Sequence, residues 1–157
     1  MAKGAYNLAN VIFKQKGDLI KAEMLARESL RILILIYGSD HNGVEIGCYL
    51  LAHILRSQGN LGDETRGLYE RSLALSIRNH GPDGINAAIG NRNLGLFYNK
   101  LAEKQSTVDA RRTQLLLSKS YQEKTLRIYS KIYGPTHSDT VNTSSQLTTV
   151  LRELSQL

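Results

Sequence analysis

The strongest constraint in this 157-residue chain is a repeat. The stretch 7–38, NLANVIFKQKGDLIKAEMLARESLRILILIYG, comes back twice in degraded form, and a fourth copy begins before the C-terminus. Three independent landmarks keep one register. Leu8-Ala9 recurs as Leu51-Ala52 and Leu94-Gly95, then more loosely as Leu147-Thr148. Ser29-Leu30 recurs as Ser72-Leu73 and Thr125-Leu126, and Gly38 recurs as Gly81 and Gly134. Each series steps by 43 residues, and by 53 wherever the step crosses a lengthened part of the third copy. Periods of this size mark stacked repeats, in which each unit buries its apolar face against its neighbours.

Each copy reads as two helices. In the first copy Leu8, Val11 and Ile12 fall on one helical face and Tyr6, Asn7, Asn10 and Lys14 on another. Gly17 stops that helix and Asp18 is placed to cap the next, which carries Ala22, Leu25, Ser29 and Leu30. Residues 30–37, LRILILIY, would be a strand if read alone. Their equivalents, LALSIRNH and LRIYSKIY, have helical composition and spacing, so the repeat predicts helix, and the all-round apolar character predicts burial between neighbouring helices. Gly38, Gly81-Pro82 and Gly134-Pro135 punctuate the junctions, and neither proline of the chain interrupts a helix.

In the third copy Ala102 stands where a glycine would separate the helices, and about ten additional residues follow. Ser106 and Asp109 form a capping pair, so the insertion reads as a lengthened second helix projecting ~15 Å. A plain loop enlargement is the alternative. The copies span about 5–38, 44–81 and 85–134, with a terminal helix at 138–155, within one repeat domain covering 1–157. The expected architecture is all-α, about seven helices and no sheet. A chain that begins inside a repeat and ends after half of one fits a fragment of a longer array.

Hydrophobic residues make up 41% and charged residues 22%, the balance of a globular chain. The longest apolar run is too short to span a bilayer, and Met1-Ala2-Lys3-Gly4 leads directly into an amphipathic pattern rather than a leader. The single cysteine, Cys48, excludes an internal disulfide, suits a reducing cytoplasmic compartment and reads as a small buried thiol. The net charge of +6 is uneven. Residues 1–90 hold ten basic and nine acidic side chains, and residues 91–157 hold ten and five. That excess favours an acidic partner.

The paired helices, the Leu-Ala pair, Gly17-Asp18, Ala22 and Ser29-Leu30 together resemble the tetratricopeptide repeat. The longer period and the Tyr-Gly-x-x-His turns at 37–41 and 133–137 look like the kinesin light chain subtype. The resemblance implies a right-handed superhelical solenoid of antiparallel helix pairs whose first helices line a concave groove. In kinesin light chains that groove takes short acidic peptides with an aromatic anchor. Some positions depart from the pattern. Glu64 replaces the small residue equivalent to Ala22, and the copies differ by single residues within their helices. Chaperone-binding members clamp a terminal carboxylate with a Lys/Asn/Arg set. Asn10 falls near such a place, but Tyr6 stands where the lysine would be, so no such clamp is expected.

The outward positions of the first helices define the candidate binding surface: Tyr6, Asn7, Asn10 and Lys14; Tyr49, His53, Arg56 and Ser57; Arg92, Asn93, Asn99 and Lys100; Gln146 and Arg152. Amides can pair both edges of an extended backbone, arginine can grip a carboxylate, and tyrosine adds apolar area with a polar tip. The set holds hardly an acid before Glu153, and Arg56, Arg92 and Lys100 form its expected electrostatic centre. The four histidines lack metal-ligand spacing, with His41 and His137 at equivalent turns, and no phosphate loop or nucleophile-base signature occurs. The sequence therefore reads as a non-catalytic adaptor without metal or cofactor, binding an acidic segment of another protein. Two alternatives stand beside it. One is a nucleic-acid-associated scaffold using the basic last third, with Arg111-Arg112 as its local feature, and the other is an array that self-associates.

Overall fold

The computed structural model describes residues 2–15 and 17–157. Among these residues there are seven helices and no strand: α1 (Ala2–Lys14), α2 (Leu19–Tyr37), α3 (Asn42–Ser57), α4 (Asp63–His80), α5 (Ile85–Ala102), α6 (Val108–Tyr133) and α7 (Ser138–Ser155). They divide into two compact units, Met1–Asn79 and His80–Leu157.

The helix ends follow from capping chemistry. The Asp18 carboxylate accepts from the backbone N–H groups of Ile20 and Lys21, both at 3.0 Å, and starts α2. His41 and His137 start α3 and α7 in the same manner, their Nδ1 atoms accepting from Gly43 (3.0 Å) and Asp139 (3.3 Å). Each of these rings also stacks on the preceding tyrosine, Tyr37 at 4.5 Å and Tyr133 at 4.3 Å. The Tyr-Gly-x-x-His turn is thus a capping device. Its glycines, Gly38 and Gly134, have φ of 81° and 83°, which a side chain would strain. For α6 the cap is Thr107, whose Oγ1 accepts from Ala110, rather than Ser106.

In the first unit the core is formed by Ala9, Ala22, Ala26 and Leu30 with Val44, Cys48, Leu51, Ile54, Leu55 and Leu75. Small residues let α1 and α2 approach closely, and Leu30 packs over Gly47 of α3. Burial pushes the Cys48 thiol up to about 11, leaving it an inert core group. Glu64, the departure from the small-residue position, reaches back to α2. It receives two hydrogen bonds from the Arg27 guanidinium, at 2.5 and 3.0 Å.

Residues 30–37 are helical, as the repeat predicts, but the expected burial of that segment fails at its end. Leu35, Ile36 and Tyr37 are 76%, 61% and 57% exposed. Leu30 and Leu33 turn toward α3 and Ile34 packs against the same core, whereas Leu35 is carried to the open side of α2. Ile36 and Tyr37, though exposed, line a cleft with Tyr6 and Asn7 of α1 and Ile46 of α3.

In the second unit α6 lies antiparallel to both α5 and α7. Leu115 packs with Ala102 and Val150, while Ile128 and Tyr129 pack with Ala88. At 26 residues α6 is eight longer than α4, which settles the insertion as helix. The added ~12 Å does not project freely. Leu115 enters the core with Ala102, Val150, Leu154 and Leu157, and Arg111 bonds Glu153 at 2.8 Å, so the extension covers the last turns of α5 and α7.

Candidate interaction surface

In the first unit α1 and α3 both run antiparallel to α2, so they lie parallel and present adjoining faces. Across them a chain of contacts links the candidate residues. The Phe13 and His53 rings sit 5.0 Å apart and the Tyr49 and His53 rings 5.5 Å apart, edge to face. The Tyr49 hydroxyl lies 3.2 Å from His53 Nδ1, and Arg56 Nη2 lies 3.1 Å from His53 Nε2. A guanidinium can only donate, which assigns Nε2 as acceptor and places the imidazole proton on Nδ1. The Tyr49 oxygen then accepts, and its own proton points away from the ring. Desolvation, and then the nearby Tyr49, raise the pKa of the half-buried Tyr6 phenol. Burial raises that of Tyr69 far above its ordinary range, against the opposing pull of Arg56.

Sequence reasoning missed Phe13 and Tyr69. Phe13 is the repeat equivalent of Arg56, so the register could have found it. Asn7 and Lys14 are exposed, Asn10 and Tyr49 half-buried, and Ser57 turns back to bond the His53 carbonyl at 2.9 Å. α1 carries no acid. The one acid of α3, Glu45, is buried on its far side, where it accepts from Ser76 at 2.7 Å. Among the described residues no carboxylate pairs with Arg56 or Lys14.

The second unit differs. Arg92 Nη1 stands 3.7 Å from Asp139 of α7, an acid the sequence did not place on this face. Lys100 pairs with Glu103 one turn on. Of the three cations expected at the electrostatic centre, Arg92 and Lys100 thus have a carboxylate partner within their own unit and Arg56 does not. The expectation that Asn93 faces outward is corrected: it is 2% exposed and donates to the Ile89 carbonyl at 2.8 Å, bracing its own helix. Asn99 and Gln146 are half-buried and Arg152 is exposed. Several cations of the last third have a carboxylate partner inside the unit, although its net charge stays positive: Arg111 pairs with Glu153, Lys119 with Glu123, and Arg127 and Lys131 with Asp83.

A repeated clasp also emerges that sequence reasoning did not foresee. The turn carboxylate before α3, Asp40, binds Arg78, and the one before α5, Asp83, binds Arg127 at 2.7 Å. In each case the arginine's hydrogen bond holds the carboxyl below its usual range. Among the described residues no three His, Cys, Asp or Glu side chains gather as a metal site requires. No described helix is long and apolar enough to cross a membrane.

No protein-family model and no curated protein matches the sequence. The fold does have solved counterparts. Over 99% of this chain it superposes on BtubC (BKLC) from P. vanneervenii with a TM-score of 0.61 at 13% identity. The chain spans 65% of that protein's length. A putative kinesin light chain from Podosopora anserina with nearly identical TPR-like repeats matches over 98% of this chain and 87% of its own, with a TM-score of 0.56 and 14% identity. A single-residue variant of that protein matches with the same TM-score and identity. At such identities the likeness defines the fold alone: this chain is an all-α TPR-like repeat array.

Proposed function

We propose that the chain is a non-catalytic protein-interaction module whose α1 and α3 faces take an extended, acidic segment of another protein. One observation carries the reading. Phe13 of α1 and Tyr49 and Arg56 of α3 gather on His53; Tyr6, Asn10 and Lys14 belong to the same helix as Phe13; and among the described residues no acid pairs with Arg56 or Lys14. Arg56 is held by His53, so its remaining N–H groups are pre-aimed at a ligand carboxylate. The half-buried tyrosines and Phe13 add apolar area for an aromatic anchor. A TPR-like fold supports a protein partner in general, and a buried thiol at Cys48 supports a reducing, cytoplasmic setting. The nucleic-acid alternative is the weaker reading, because six of the ten cations of the last third are paired with carboxylates of their own unit.

The test is fluorescence anisotropy with an acidic, aromatic-containing peptide. Arg56→Glu together with Lys14→Glu is expected to weaken binding at least about tenfold, equivalent to ~1.4 kcal/mol. Arg112→Glu together with Lys104→Glu changes the net charge equally on exposed sites elsewhere, and leaves affinity within about twofold. Equal losses in the two variants would refute the site. Preferential binding of an oligonucleotide competitor would reverse the choice of partner.

A further inference from the structure

The three junctions between copies are not chemically equal. Ser39 stands where the other two have Pro82 and Pro135, so the first turn lacks the ring that fixes its backbone. The Ser39 hydroxyl is exposed and lies 3.4 Å from Asp40 Oδ1. Two arginines of α4 converge on this turn. Arg71 Nη2 donates to the Ser39 carbonyl at 3.3 Å, and Arg78 binds the other oxygen of Asp40. Together Ser39, Asp40, Arg71 and Arg78 line a cleft of about 290 Å³ over Ala74 and Leu75. Its charge is two cations against one carboxylate. No other junction combines a hydroxyl with such a receiver: the position equivalent to Arg71 is Lys124, which lies over the Tyr121 ring.

We propose that Ser39 is a phosphorylation site, and that Arg71 and Arg78 receive the phosphate it gains. The donor is a nucleoside triphosphate, acted on by a serine/threonine protein kinase. Ser39 Oγ attacks the γ-phosphorus, the bond to the nucleoside diphosphate breaks, and the hydroxyl proton leaves to a kinase base. No electron changes hands. The added dianion has three acceptor oxygens, enough to take Arg78 from Asp40 and to engage Arg71 as well. It supplies by ion pairing the rigidity that proline supplies at the other junctions. The turn 38–41 holds the His41 cap, so the modification fixes where α3 begins, and α3 carries Tyr49, His53 and Arg56.

Genetically encoded phosphoserine at position 39 tests the receiver. Relative to Ser39, it is expected to raise Tm by about 2–6 °C at low salt. It should also bring the phosphate's second pKa, followed by ³¹P NMR, below its usual value of about 6. Both effects should vanish in an Arg71→Gln/Arg78→Gln background, where the phosphorylated and unmodified forms are compared with each other so that any general loss of stability cancels. An unchanged or lowered Tm, or the same shift in both backgrounds, would overturn the proposal. The acceptor is tested on the folded chain with MgATP and purified acidic- and basic-directed serine/threonine kinases, read by peptide mapping. Incorporation at Ser39, absent from Ser39→Ala, is expected. Labelling confined to other residues would overturn it.

Discussion

His41 shows how a single side chain can carry a repeat's punctuation. Its position in the Tyr-Gly-x-x-His turn is legible in sequence, but its work as the α3 cap is a matter of which ring nitrogen faces the Gly43 amide. Replacing it with alanine leaves that N–H unanswered and should cost about 1 kcal/mol, whereas His41→Asn should retain most of the stability, because asparagine caps well. Urea unfolding of the two variants separates them. Glycines give a second contrast. A methyl group at Gly95 would meet Cγ of the buried Gln122 at 2.9 Å, so Gly95→Ala should destabilise by about 1–2 kcal/mol despite alanine's better helix propensity. At Gly67, in α4, the same methyl meets nothing within 4 Å, and Gly67→Ala should stabilise by about 0.5–1 kcal/mol. Leu94-Gly95 was readable as a repeat landmark. The Gln122 side chain that demands the glycine comes from another helix and was not.

At the scale of elements, periodicity predicted every helix, including residues 30–37, where local propensity pointed to a strand. It could not say how far each apolar stripe would be covered, since that depends on which helix lies opposite. Leu35 at 76% exposure and Leu115 at 0% have the same chemistry and opposite fates. Leu115→Ala, which opens a cavity among Ala102, Val150 and Leu154, should cost about 2–4 kcal/mol. Leu35→Gln should change stability by no more than about 0.5 kcal/mol. Thermal or chemical denaturation of the pair measures how far the exposed tail of α2 is surplus to folding. The α6 extension follows the same logic: its helical character was legible, though its cap is Thr107 and not Ser106, and its seat against α7 required the Arg111–Glu153 bond to be seen.

For the whole molecule, the repeat register led directly to the TPR-like fold, because fold class follows from backbone periodicity and punctuation. The side-chain arrangement on the proposed surface was only partly legible. Outward positions on α1 and α3 could be read from helical phase, and there the aromatic and basic side chains do assemble around His53. On α5 phase was not enough, since Asn93 is consumed by its own helix and Arg92 and Lys100 by acids of the same unit. Charge counting along a chain cannot tell a paired cation from one held ready for a partner. The central claim is that the α1 and α3 faces form the site, and the most direct measurement is a ¹H–¹⁵N titration of the labelled chain with an acidic, aromatic-containing peptide. The account predicts saturable shifts concentrated at residues 6–14 and 49–57, with the Arg56 side-chain Nε–H among the most displaced. Shifts confined to residues 104–131, with 6–14 and 49–57 unmoved, would contradict it.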